Sequence, residues 1–485
     1  MVFTSLVFVL FFSVMAILYY LLPAKFRWIW ILVSGIFFYM YTNPEYILIP
    51  VFIILITWIA GVQIEKAELQ NKTSRFYLYA IMANIAVLVF FKYSNFFTNA
   101  AVDFINFTGH KFFHDAGTIS NPLLIKVIAP LGISYITFQA IGYLIEIKRG
   151  NHKAERNLGH FSTYLLFFPK IIAGPVERAH NFLPQLKSPR LFDYDNIRNG
   201  LRQVLWGLFK KIVIADRLSL YVGSVLDNAG FHSGISLTLA SVFYIFQMYA
   251  DFSGYSDMAL GFAKILGFDI IQNFNRPFFA KSVSEFWRKW HISLSTWFAD
   301  YFYTPIAVAK RDWGVWSVVY AFFITFIVLG FWHGANWTFI VFGALQGLIL
   351  TIEFFTRKAR KKAGKKIPAV LNNVLSMIFV FAYFGLSLIF FRANSVADAF
   401  TIISRIFTAG GPLYFDRDEP SSFIFSVVGV LMLMFVELKR EYYKGGFSFF
   451  NNKYWIVRNL SYAFLIIIIL MIGVFDGGQF IYKQF

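Results

Sequence analysis

Apolar runs of about 18–20 residues recur along the whole chain, and any fold must accommodate them. Wound as a helix, each run can cross a bilayer core of about 30 Å. A water-soluble fold of this length could not hide that much apolar surface. Composition agrees, since 58% of the 485 residues are hydrophobic and only 14% are charged. An ordinary soluble domain is about 25% charged. The sequence therefore predicts an all-α polytopic membrane protein embedded in a lipid bilayer.

Candidate spans fall at residues 4–22, 27–43, 46–63, 76–92, 124–147, 202–225, 234–250, 314–332, 336–355, 370–391, 421–437 and 456–475. The first is expected to be a retained span, because no basic segment precedes it and no small-residue cleavage site is evident. The net charge of +18 fits basic cytoplasmic loops rather than a nucleic-acid partner. Lys25 and Arg27, then Lys66, Lys72 and Arg75, then Lys148, Arg149, Lys153 and Arg156 share one side if the N-terminus is outside. The densest cluster (Arg357, Lys358, Arg360, Lys361, Lys362, Lys365, Lys366) is then cytoplasmic, as are Lys439, Arg440 and Lys444. Loops 93–123 and 392–420 face outward. With no cysteine in the chain, disulfides, thiolate nucleophiles and Cys-ligated zinc are excluded. No internal repeat or linker divides the chain. One integral-membrane domain over 1–485 is expected, with the chemical motifs within about 124–355 and further helices over 370–485.

Two stretches do not read as spans. Residues 161–201 start apolar, turn at Gly174-Pro175 and become basic, as a re-entrant segment would. Such a segment needs protein or water to satisfy its backbone. Residues 251–312 mix aromatics with charges. Phe286, Trp287, Trp290, Leu294, Trp297 and Phe298 fall at helical spacing with Arg288 and Lys289 between them, which predicts interfacial helices.

Few residues can carry chemistry. His333 lies in a turn (residues 330–337, GFWHGANW) that has apolar runs on both sides and no charge of its own. A solvent-exposed turn would be polar, so this one is expected inside the protein, where an ionisable group is costly and a functional candidate. Imidazole is the usual general base near neutral pH, and Gly334 would let a substrate approach the backbone. A structural histidine bonded between helices is the competing reading. His291 sits in the Trp-rich stretch and is either part of an interfacial helix with a basic face or a catalytic or donor-binding group. Asp251, Ser253, Tyr255 and Asp257 close the 234–250 span and could bind a polar group or cap the next helix. His110 and Asp115 match the H-x4-D spacing of glycerolipid acyltransferases, and His110 and His114 have the spacing of a zinc pair. The segment lies in an expected outer loop and lacks the accompanying glutamate and phosphate-binding motif, so both readings are set aside. There is no Walker loop or dinucleotide fingerprint, and no metal site is expected.

Residues 284–297 (SEFWRKWHISLSTW) followed by 330–339 (GFWHGANWTF) resemble the signature of the membrane-bound O-acyltransferase (MBOAT) family. Residues 130–138 (PLGISYITF), Phe168-Pro169 with Gly174-Pro175, 251–259 (DFSGYSDMA), 273–278 (NFNRPF) and Phe480-Ile481-Tyr482 match in the same order. The resemblance covers nearly the whole chain and is strongest to the bacterial branch containing the alginate O-acetyltransferase membrane subunit. It implies a ring of about 11–12 tilted helices around a central tunnel. It also implies His333 as the central catalytic histidine and His291 as the second catalytic position. Trp332, Asn336, Asp251, Ser253 and Tyr255 would line the substrate path. No bound cofactor is implied. Acetyl-CoA would be the donor, meeting Arg288, Lys289 and Arg276 at the cytoplasmic mouth. An SGNH-type extracytoplasmic acyltransferase would be the partner, an exopolysaccharide such as alginate the acceptor, and the bacterial inner membrane the location.

Within that resemblance, a D-alanyl transferase to a cell-envelope polymer is the alternative. A transporter or flippase is a different class. Its usual repeated halves are missing from this sequence.

Overall fold

In lipid, backbone N–H and C=O groups must be paired within the segment, so apolar runs of this length become helices. The computed structural model describes residues 1–41, 44–70, 72, 74–112, 130–172, 174–415, 420–443, 449–450 and 452–475. These residues are helical with no strand. The helices are α1 (Leu6–Leu21), α2 (Ala24–Met40), α3 (Leu48–Leu69), α4 (Arg75–Phe112), α5 (Ile133–Lys148), α6 (Leu158–Leu165), α7 (Phe168–Ile171), α8 (Ala179–Lys187), α9 (Tyr194–Leu208), α10 (Asp216–Leu226) and α11 (Gly234–Ile265). They continue with α12 (Val283–Lys289), α13 (Ile292–Phe298), α14 (Thr304–Ala309), α15 (Val315–His333), α16 (Trp337–Gly364), α17 (Ala369–Arg392), α18 (Val396–Thr408), α19 (Pro420–Tyr442) and α20 (Trp455–Ile472).

Among the described residues, eight helices are long and apolar enough to cross a membrane: Pro44–Leu69, Arg75–Asn106, Gly234–Ile265, Val315–His333, Trp337–Gly364, Ala369–Arg392, Pro420–Tyr442 and Trp455–Ile472. This is a multi-pass membrane protein. Exposed residues such as Leu21, Leu470 and Met471 are apolar because lipid, not water, would meet them. Helix α1 is apolar but has only 16 residues. The expected span at 202–225 is instead α9, a π-helical turn over Phe209–Ala215 and α10, with buried Lys210 and Lys211 in its middle. The start of the expected 124–147 span lies outside the described residues, as do Lys444, residues 480–482, and the His110 side chain with residues 113–115.

The described residues form two compact units: Ile17–Ile172 with Val176–Pro189, and Val2–Ala16 with Arg190–Phe485, to which Met1 and Ala173–Pro175 respectively attach. In the first unit, a Cβ on Gly35 would come within 2.1 Å of the Leu166 carbonyl oxygen, so glycine permits α2 to meet that chain. The expected re-entrant stretch begins as three short helices, α6 to α8, rather than one span. Buried Lys170 donates to Gln139 at 2.5 Å and lies 4.1 Å above the Tyr164 ring.

In the second unit, α9 and α11 touch through glycines. A Cβ on Gly200 would meet the Gly261 carbonyl oxygen at 2.6 Å, and one on Gly207 would meet that of Gly254 at 2.5 Å. Helices α15 and α16 pack as an equally tight antiparallel hairpin, since a Cβ on Gly343 would reach the Phe326 carbonyl oxygen at 2.2 Å. Close backbone approach through small residues is how helices bind one another where water supplies no driving force.

Candidate active site

Helix α15 ends at His333 because Gly334 is extended (φ −162°, ψ 150°) and Asn336 caps α16, accepting from the Thr338 N–H at 3.1 Å. The Asn336 amide donates to the Asn394 carbonyl at 3.1 Å, which ties the turn to the end of α17. The expectation that Gly334 admits a substrate is corrected. A Cβ there would strike the Phe339 ring at 2.1 Å, so the protein itself fills the space. His333 is 4% exposed, as expected for a turn without charge. Its ring lies 4.9 Å from that of Trp332 and 5.1 Å from that of Phe391.

The Trp-rich stretch is not one surface helix. It breaks into α12 and α13 at Trp290-His291, and its aromatics are buried rather than lying at an interface. His291 occupies the elbow in the left-handed region (φ 45°, ψ 52°), where a non-glycine residue is strained. Asn273 holds the elbow: its carbonyl accepts from the Ile292 N–H at 2.8 Å, and its side-chain oxygen accepts from Ser293 Oγ at 2.6 Å. Its amide donates to Ser256 Oγ on α11 at 3.2 Å. From α16, Glu353 accepts the N–H groups of Val283 and Ser284 at 2.7 and 3.0 Å, and Gln346 accepts from the Trp287 indole at 3.3 Å. Thus secured, His291 is 1% exposed. Neither of its ring nitrogens has a hydrogen-bond partner among the described residues. Burial pushes its pKa down, keeping the imidazole neutral. Both histidines lie near one indole, since the His291 ring is 6.2 Å from that of Trp332.

Residues 251–257 neither close a span nor cap a helix, which corrects that expectation: α11 runs through them unbroken for 32 residues. The carboxylates are tolerated because buried lysines neutralise them. Lys211 Nζ lies 2.8 Å from Asp251 and 2.7 Å from Asp216. Lys210 Nζ lies 2.6 Å from Asp257 and donates to Ser253 Oγ at 2.9 Å. Tyr255 stacks on Phe3, ring centroids 4.4 Å apart, and lines neither cavity described next.

Two cavities lie on either side of this ion-paired layer. The larger, about 500 Å³, is lined by Lys211, Asp216, Asp251, Asn336, Phe339 and Phe391 among others. Phe391, one of its lining residues, lies 5.1 Å from the His333 ring. The smaller, about 50 Å³, is lined by Lys210, Ser253, Asp257, Phe274, Arg276 and Arg440 among others. Phe274, one of its lining residues, lies 6.5 Å from the His291 ring. Lys289 is already paired with Glu285 at 2.9 Å and Glu441 at 3.6 Å, whereas Arg288 is exposed. Among the described residues, no group of three or more His, Asp or Glu side chains could hold a metal. Sequence reading missed Lys210 and Lys211, although two charges inside an expected span were the signal. It also missed the clamps Gln346 and Glu353, which carry no local signature.

The profile described as "MBOAT, membrane-bound O-acyltransferase family" matches residues 70–392, and the chain belongs to that family. It is therefore an acyltransferase, with an acyl donor and an acceptor. Over 412 residues it is 32% identical to the "Probable alginate O-acetylase AlgI" of Pseudomonas aeruginosa, covering 84% of this chain and 75% of that one. It is 31% identical over 411 residues to the peptidoglycan O-acetyltransferase of Helicobacter pylori, covering 79% and 74%. With the teichoic acid D-alanyltransferase of Streptococcus thermophilus it shares 33% identity over 276 residues, covering 53% and 65%.

Proposed function

We propose that the chain transfers an acetyl group from a cytoplasmic thioester, acetyl-CoA, toward a hydroxyl of an extracytoplasmic polysaccharide, with His333 as general base. The observation that supports this reading is the pair of buried imidazoles, His291 and His333, whose rings lie 6.2 and 4.9 Å from that of Trp332. The acceptor hydroxyl gives its proton to His333 as its oxygen adds to the thioester carbonyl. The C–S bond then breaks, and the leaving thiolate recovers the proton. Neutral His291 hydrogen-bonds the thioester side, and Trp332 with its aromatic neighbours keeps out the water that would hydrolyse it.

Positive charge supports one orientation of the chain. The basic end of α16 and Lys439 and Arg440 on α19 are cytoplasmic. The smaller cavity, which holds Arg440 and Arg276, then faces the donor, and the larger one, at the start of α16 and end of α17, faces outward. Exposed Arg288 meets the phosphates of the donor. The enzyme sits in a bacterial inner membrane with its N-terminus outside, and the hydroxyl acylated at His333 is that of an SGNH-type partner, which passes the acetyl group on to the polysaccharide. Acetyl rather than D-alanyl transfer is favoured because similarity to the two O-acetylating relatives extends over 84% and 79% of this chain, against 53% for the D-alanyl transferase.

The test is His333→Gln in proteoliposomes with labelled acetyl-CoA, the partner and the polymer. Transfer should fall by at least roughly 100-fold, the loss expected with a general base, while the protein inserts normally. Near-normal transfer by the inserted variant would remove His333 from this role.

A further inference from the structure

Helix α16 does not end with its apolar residues. Leu348, Ile352 and Phe355, spaced four and three apart, form one exposed stripe along it. From Arg357 onward the chain changes character: Arg357, Lys358, Arg360, Lys361, Lys362, Lys365 and Lys366 are all exposed. Lys362 continues the apolar stripe about two turns beyond Phe355. A face that is apolar up to Phe355 and cationic beyond it marks the boundary between hydrocarbon and lipid headgroups. Trp316, 65% exposed at the start of α15, meets Phe355 edge-on with ring centroids 6.2 Å apart. Trp313 is exposed just before it. Exposed indoles are enriched where membrane meets water.

Charge balance distinguishes this cluster from other basic residues of the chain. Lys148 is paired with Glu68, Arg156 with Glu65, Lys264 with Asp269 and Lys289 with Glu285. The end of α16 carries seven cations within residues 357–366, and the sequence has no Asp or Glu from 354 to 397. The carboxylate just before it, Glu353, is committed: it accepts the N–H groups of Val283 and Ser284 and lies 3.8 Å from Arg360. The other six cations form no ion pair among the described residues. A positive-inside bias accounts for the sign of the cluster but not for its missing counter-charges.

Unpaired cations at headgroup depth, beside aromatic rings at the edge of the hydrocarbon, match an anion that is itself held in the membrane. A soluble acidic protein would meet the cations and leave the exposed Trp316–Phe355 pair unexplained. We propose that residues 357–366, with Trp316 and Phe355, bind anionic phospholipid: the ammonium and guanidinium groups meet the headgroup phosphates, and the two rings lie against the acyl chains. A zwitterionic headgroup is disfavoured because it brings its own cation against the lysines. The site lies outside the transfer chemistry, and either orientation of the chain leaves it intact, changing only the leaflet.

The test uses the full chain in detergent micelles with Ala363→Cys carrying a fluorophore. Phosphatidylglycerol or phosphatidylcholine with a nitroxide high on one acyl chain is added, and quenching is followed. Half-quenching should need at least roughly ten-fold less phosphatidylglycerol than phosphatidylcholine. Raising salt to about 0.5 M should remove most of that preference, since exposed charges are screened. Lys358→Gln, Lys361→Gln, Lys362→Gln and Lys365→Gln together should abolish it, whereas Arg at the same four positions should keep it. Trp316→Ala should weaken both lipids roughly three-fold and leave the preference. Size-exclusion profiles identify any variant that fails to fold, and the Arg variant keeps the test open if the Gln variant does. Equal half-quenching by the two lipids, a preference unchanged in the well-folded Gln variant, or a preference lost in the well-folded Arg variant would each overturn the proposal. So would saturable binding of polyglutamate at the label with no preference between the lipids, the mark of an acidic protein partner.

Discussion

His291 has unusual constraints for a single residue. Its backbone is left-handed, its ring is enclosed by Phe252, Phe274 and Trp332, and both its nitrogens lack partners among the described residues. Each feature disfavours the fold, and strain of this sort concentrates at working sites. The lowered pKa gives a stability signature. The unfolded chain takes up a proton near pH 6.5 whereas the native chain stays neutral. The unfolded state therefore holds more protons below that pH, and stability falls as pH drops. His291→Phe removes this linkage. Between pH 7.5 and 5.5 the parent's melting temperature in detergent should fall more than the variant's, by a difference equivalent to about 1 kcal/mol per pH unit below 6.5. Parallel pH curves for the two proteins would show that His291 is not buried neutral. The sequence marked both histidines, but for different reasons. The environment of His333 could be read from its uncharged turn. The elbow of His291 could not, because regular aromatic spacing reads as a helix and the break is imposed from outside, by Asn273, Gln346 and Glu353.

Among the elements, the α9–α11 pair shows what local pattern cannot reveal. Residues 202–225 read as a span, and residues 251–257 as the end of one. Their charges are intelligible only together: glycine contacts at Gly200–Gly261 and Gly207–Gly254 bring the π-turn lysines beside the α11 carboxylates. π-turns recur at functional sites. Here the extra residue in the turn accompanies an arrangement in which adjacent lysines line different cavities, Lys211 the larger and Lys210 the smaller. Lys211→Met leaves Asp216 and Asp251 buried without their cation, and breaking such a pair costs about 3–5 kcal/mol. The variant should show much lower yield and melting temperature. Lys211→Met with Asp216→Asn and Asp251→Asn leaves no uncompensated charge and should recover much of the loss. Thermal unfolding of the three proteins in the same detergent checks this. If the single variant proves as stable as the parent, the layer does not hold the helices together.

The apolar runs were legible because bilayer thickness sets their length, and among the described residues eight of them recur as helices able to cross a membrane. Orientation depends on where the basic residues fall, and the division of labour between the two cavities depends on orientation. Helix α16 carries its basic cluster at one end and the Asn336 cap at the other. If Lys361 and Lys362 are cytoplasmic, the turn bearing His333 approaches the outer face, and the end of α17 at Arg392 lies on that face too. The start of α18 follows directly. Single cysteines can report this without background, since the chain has none. Ala363 and Ala397 are both exposed, the first beside the basic cluster and the second in α18. In intact spheroplasts an impermeant maleimide should label Ala397→Cys and should label Ala363→Cys only after permeabilisation. Labelling in the reverse order would turn the molecule over. The larger cavity would then face the cytoplasm, where the donor is found, and the two cavities would exchange roles.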